Sequence, residues 1–146
     1  MIINSMNLFI EKTLSIPEEN QKLIAEFCLF CARELPIEGD FKIMVIADRR
    51  KHHITTTAAY VIGQNECVVY GRDRALPDIM RSIAHEMTHM MQDQMGLIVG
   101  PIRDAGGFHE DQANAKAGEL LKLFAKSKPH RSSMYEGKTG KTKFLF

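Results

Sequence analysis

The sequence predicts an α+β fold: a small three- to four-stranded sheet packed on a central helix, with one helix before it and one after. Three observations lead there. Strand-like runs rich in Val, Ile, Thr and Tyr fill the middle of the chain, and apolar stripes at helical spacing lie before and after them. The length of 146 residues, 45% of them hydrophobic, suffices for one ordinary core and not for two independent domains. One domain over residues 1–146 is expected, with a basic tail from about residue 127.

Ser15-Ile16-Pro17-Glu18-Glu19 reads as a helix start, with Ser15 as the cap, Pro17 in the first turn and acidic side chains near the positive end of the dipole. Leu23, Ile24, Phe27, Cys28, Phe30 and Cys31 recur at helical spacing as far as Glu34, and Pro36 and Gly39 end the helix. Phe41 to Ala47 is short, apolar and β-branched, a strand. Two further strand-like runs, Thr55 to Ile62 and Glu66 to Gly71, flank Gly63-Gln64-Asn65, a hairpin signal. Leu76-Pro77-Asp78 opens the central helix, whose stripe is Ile79, Met80, Ile83, Met87, Met90, Met91 and Met95, with Gly96 as its stop. The stretch from Leu97 to Phe108, with Gly100-Pro101 and Gly106-Gly107, is the most loop-like in the chain. His109 to Lys126 then forms the last helix, carrying Ala113, Ala115, Ala117, Leu120, Leu121 and Phe124.

Chemistry concentrates on the central helix, in His85-Glu86-Met87-Thr88-His89. Residues four apart share a helix face, so His85 and His89 can aim two imidazole nitrogens at one point, with Glu86 beside it. That spacing suits zinc, which takes two neutral imidazoles, leaves room for a third protein ligand and a water, and sets a carboxylate where it can accept a proton. At about 100° per residue, His85 lies about 200° from Met87, so the histidines point away from the methionine stripe. Three specified positions also recur by chance, and a third ligand decides the matter. Glu110 is the candidate, near the start of the last helix; Asn114 lies one turn beyond it, where it could hydrogen-bond the outer nitrogen of a ligand histidine. His109 competes with Glu110, and Asp111 and Asp104 compete more weakly.

These residues carry a resemblance. HEMTH resembles the motif helix of the zincin metallopeptidases, and Glu110-Asp111-Gln112-Ala113-Asn114 resembles the downstream E-x-x-[SA]-[DN] element of the gluzincin branch and of the small regulatory metallopeptidases of the ImmA/IrrE type. The match covers roughly Ile79 to Leu121. It implies a zincin-like fold with an active-site helix and a third-ligand helix. It implies His85, His89 and Glu110 as ligands of Zn2+, Glu86 as general base and Asn114 as support for a histidine. It also implies that a strand before the motif binds the substrate backbone by edge pairing. Two departures stand out: there is no third histidine one turn on, and Thr88 stands where some regulatory members carry glycine. The group that stabilises the transition state has no clear counterpart; His130 and Tyr135 are candidates by residue type.

The remaining features bound the setting. A formal net charge of +1 gives no nucleic-acid signal beyond the basic tail, Lys122 to Phe146, for which a solvated terminus is the simpler reading. No run approaches membrane-spanning length, the N-terminus lacks the pattern of a secretory signal, and three cysteines argue against a disulfide framework; a cytoplasmic location is expected. Cys28-x-x-Cys31 falls in an apolar stripe and reads as a buried helix face. Arg49-Arg50-Lys51-His52-His53 reads as a solvated loop. The expected function is zinc-dependent hydrolysis of a peptide bond in a protein or peptide substrate, through a metal-held water activated by Glu86. The alternative keeps the site as a metal-binding regulatory or partner-binding module without significant turnover, and a third reading makes the basic tail the functional part.

Overall fold

A computed structural model describes residues 5–98 and 107–128. The elements are β1 (Met6–Ile10), α1 (Glu18–Glu34), β2 (Phe41–Ile46), β3 (Ala58–Val61), β4 (Glu66–Tyr70), α2 (Leu76–Gln94) and α3 (Phe108–Ser127), an α+β arrangement of three helices and one four-stranded mixed sheet among the described residues. The sheet order is β1-β2-β4-β3, in which β1, β2 and β4 run parallel and β3 closes one edge antiparallel to β4. No helix among the described residues is long and apolar enough to cross a membrane.

One core joins all these layers. Phe41, Ile43 and Val45, alternate residues of β2, and Cys67 and Val69 of β4 bury against Ile24, Phe27 and Cys28 of α1 and Met80, Ile83 and Met87 of α2. Leu120, Leu121 and Phe124 of α3 complete it, with Phe27 and Phe124 edge-to-face at 5.0 Å between centroids. The three cysteines are free and buried, and burial pushes the Cys28 thiol up to about 12. They are core residues, as the apolar stripe suggested.

Four expectations change. Met6–Ile10 is a strand, to which the sequence reading gave no element; its alternation is blurred because Phe9, on the outward side, is apolar and 48% exposed. Its pairing with Phe41 to Val45 is non-local and leaves no trace in a short window. Ser15 does not cap α1: it sits in the left-handed region (φ 52°) and ends a short 3₁₀ turn, while Pro17 takes the cap position and its carbonyl accepts from the Asn20 and Gln21 N–H groups. Proline disfavours helical geometry in the residue before it, so the helix cannot start until Ile16 is passed. β3 is four residues long rather than eight: residues 55–57 bend, with the Thr56 hydroxyl turning back to donate to the Ala58 carbonyl at 2.9 Å, and Ile62 belongs to the turn that follows. Met95, counted in the core stripe, is the C-cap of α2 and 65% exposed.

The far end of α2 is pinned to the sheet. Gly96 (φ 73°) ends the helix in a Schellman motif, with its N–H donating to Asp93 O and the Leu97 N–H to Gln92 O. Asp93 accepts from the Tyr60 hydroxyl at 2.5 Å and from the Gly63 N–H at 2.8 Å, tying the β3–β4 hairpin to the helix. Burial first, and then this bond to Asp93, hold the Tyr60 phenol well above its usual range. Replacing Asp93 by Ala is expected to destabilise the protein by about 2 kcal/mol, because a charged acceptor is lost from two donors. In urea unfolding the midpoint should fall with the slope unchanged; an unaltered midpoint would show that the hairpin holds its place without this clamp.

Candidate metal centre

The methionine stripe fixes the rotation of α2 about its own axis. With Met80, Ile83, Met87 and Met90 in the core, the opposite side of the helix turns His85 and His89 into a cleft of about 660 Å³, and Glu86, one step round the helix, lines the same cleft. This side is not left to solvent. His89 is 2% exposed and Glu86 8%, on a helix packed against α3, β3 and β4. Thr88, where glycine occurs in some resembling proteins, is fully buried and donates its hydroxyl to the Ala84 carbonyl one turn back at 2.8 Å.

The first turn of α3 delivers Glu110. A single carboxylate oxygen, Oε1, lies 2.6 Å from His89 Nε2 and 3.1 Å from His85 Nε2. Nitrogen and oxygen atoms of these three residues all lie within 4.8 Å of one another, a group that could hold a metal ion. The two imidazoles stand nearly perpendicular, at 84° with centroids 4.8 Å apart, so that both nitrogens converge. His109, the competing ligand, is outside this group: its ring lies against Phe108 and its carbonyl accepts a hydrogen bond from Gln92.

Gln92 is the residue that sequence reasoning missed. It is fully buried, one turn beyond His89, and its side-chain oxygen lies 2.8 Å from His89 Nδ1. Its side-chain nitrogen donates to the His109 carbonyl at 3.0 Å and to Gln112 Oε1 at 2.8 Å. A backbone carbonyl can only accept, so the amide nitrogen must face His109 and the amide oxygen must face the histidine. His89 Nδ1 is therefore the donor, and Nε2 of a neutral ring presents a lone pair to Glu110. For His89 the partner at the outer nitrogen is Gln92. Asn114 lies one turn beyond Glu110, is exposed and lines the cleft. The available signal was a His-x-x-Gln pair at helical spacing, which a reading centred on the downstream helix passed over.

The donor set fits a cation. A lone pair on His89 Nε2 facing a carboxylate oxygen at 2.6 Å is repulsive unless positive charge lies on that contact, and His85 Nε2 meets the same oxygen. A tetrahedral ion with bonds of about 2.0–2.2 Å spaces its ligand atoms about 3.3–3.6 Å apart. The contacts at 2.6 and 3.1 Å and the overall spread of 4.8 Å bracket that spacing.

Glu86 stands beside the group and not in it. Its Oε2 lies 4.0 Å from His85 Nε2. Burial first, and then the negative charge of Glu110, push its carboxyl up to about 8. Positive charge at the histidines opposes the second of these causes and favours the carboxylate.

β3 forms the other wall. Tyr70 N–H donates to Thr57 O at 2.8 Å, which sets the hydrogen-bonding pairs at Thr57, Ala59 and Val61. The N–H and C=O groups of Ala58 and Tyr60 then turn to the open edge of the sheet, along the cleft. His53, in the run read as a solvated loop, also lines the cleft, while Arg49 lies over the Tyr70 ring at 4.6 Å. His130, Tyr135, Asp104 and nearly all of the basic tail lie outside the described residues. Comparison of the chain with known protein families and with curated proteins returns no match.

Proposed function

We propose that this chain is a zinc-dependent metallopeptidase of zincin type, with His85, His89 and Glu110 as the metal ligands and Glu86 as general base. The observation that carries the reading is the convergence of two imidazole nitrogens on one carboxylate oxygen, with a buried second carboxylate beside them, in a cleft walled by an open strand edge. Two nitrogen ligands and one oxygen ligand are a donor set that catalytic zinc uses while keeping a position open.

Zn2+ held there supplies Lewis acidity toward a water and a peptide carbonyl. The chain's own residues do the rest. The outward Ala58 N–H and the outward N–H and C=O groups of Tyr60 pair with an extended substrate backbone as an added strand, which lays a peptide bond across the cleft. Glu86 takes the proton of the attacking water and returns it to the leaving amine. Burial raises this carboxyl and positive charge at the ligands favours its ionised form, and these opposed influences suit a group that both takes and returns a proton. Gln92 keeps His89 in the tautomer whose Nε2 can ligate, and it joins the start of α3 to α2, so that Glu110 and His89 are positioned by one side chain.

The test is metal content. Elemental analysis of protein purified without a histidine tag and supplemented with zinc is expected to give near one zinc per chain, and the Glu110→Ala variant markedly less. Absence of zinc from the supplemented parent protein overturns the reading. Zinc at full occupancy in the variant removes Glu110 from the ligand set.

A further inference from the structure

The cleft contains one more charged group with no assigned task. Arg81 lies one turn before His85 on α2 and lines the same cleft. Its guanidinium rests against α3 at Gly118, where a Cβ would lie 3.5 Å from Nη1. Nearby arginines are engaged: Arg74 donates to Tyr70 O and to Ser82 Oγ, and Arg72 to Ala47 O. For Arg81, no ion pair with a carboxylate is formed among the described residues. The carboxylates that share the cleft, Glu86 and Glu110, face the histidines.

We propose that Arg81 is the specificity-determining residue of the cleft and that the substrate is a peptide carrying a carboxylate close to the scissile bond. This rests on the peptidase reading. One helical turn is about 5.4 Å along α2 and an extended peptide advances about 3.3 Å per residue, so Arg81 serves a group within about two residues of the bond that faces His85 and His89. Arg81 is exposed, so its fork is open to an incoming group, and it matches a carboxylate in two parallel hydrogen bonds. The carboxylate comes from an Asp or Glu side chain or from the end of the substrate chain; both offer the same two oxygens.

The experiment uses the full chain loaded with zinc and peptides that carry Glu, Gln or Lys at each of the two positions on either side of the cleaved bond, with free and amidated C-termini. Cleavage is followed in the parent protein and the Arg81→Gln and Arg81→Glu variants, and binding by fluorescence anisotropy on the Glu86→Gln background. A carboxylate-bearing peptide is expected to be preferred over its neutral counterpart by about tenfold. Arg81→Gln should reduce the preference to within about twofold, and Arg81→Glu should favour Lys. If the preference follows the free terminus and not the side chain, the carboxylate is the chain end. Equal handling of Glu, Gln and Lys peptides by the parent protein in both assays, or an equal loss for all of them in Arg81→Gln, overturns the proposal. Preference in binding with no cleavage of any peptide sinks the catalytic reading and leaves the recognition by Arg81 standing.

Discussion

Glu86→Gln is expected to lower peptide hydrolysis by about 10²–10⁴-fold while zinc content stays near one per chain. The expectation follows from where Glu86 stands. It is buried beside the histidines yet 4.0 Å from the nearest ligand nitrogen, and it belongs neither to the converging group nor to the core stripe. Glutamine keeps the volume and loses the ability to take a proton, so it separates proton transfer from metal binding. It also removes a buried carboxyl whose burial raises it to about 8. Between the ordinary carboxyl range and that value the folded state holds a proton that the unfolded state releases, so without metal the Glu86 contribution weakens folding as pH rises through this window. The variant should therefore fold at least as well as the parent above neutrality when zinc is removed. Retained hydrolysis with Gln at this position would take Glu86 out of the mechanism; lost zinc would make it a ligand.

Much of this site was legible from one stretch of sequence, for a physical reason. His85, Glu86 and His89 are fixed relative to one another by helical geometry alone, and the methionine stripe fixes which way that helix faces. Glu110 was legible more weakly, because its place depends on how α3 packs, and the spacing of Glu110, Ala113 and Asn114 suggested it by likeness. In the structure Ala113 and Ala117 are buried, Asn114 is exposed and lines the cleft, and the partner of His89 Nδ1 is Gln92. β1 and the shortened β3 were hidden for a different reason. Both are edge strands; β1 takes its register from Phe41 to Val45, far along the chain, whereas β3 pairs with the adjacent β4 and only its ends differ from the expected run. The open edge of β3 matters to the proposed function, yet nothing within Ala58 to Val61 marks it as an edge; that follows from the sheet order, in which β4 pairs inward with β2.

Gln92→Leu is the second large effect expected, and it separates holding the metal from holding the fold. Leucine fills much of the same buried space, but it leaves the His89 Nδ1–H and the His109 carbonyl without their partner. Each buried group left unsatisfied costs about 1–3 kcal/mol, so the melting temperature should fall. Loss of the outer partner of a ligand histidine typically weakens metal binding by about 10–100-fold, because the ring is then free to present the wrong tautomer or to rotate. Competition titration with a zinc chelator measures that affinity, and Gln92→Glu provides the contrast. Glutamate keeps an acceptor for His89 Nδ1 and sets a carboxylate against the His109 carbonyl, so it should retain more zinc affinity than leucine while still losing stability. If leucine lowers the melting temperature and zinc affinity is unchanged, Gln92 is a strut between α2 and α3 and His89 is oriented by its packing alone.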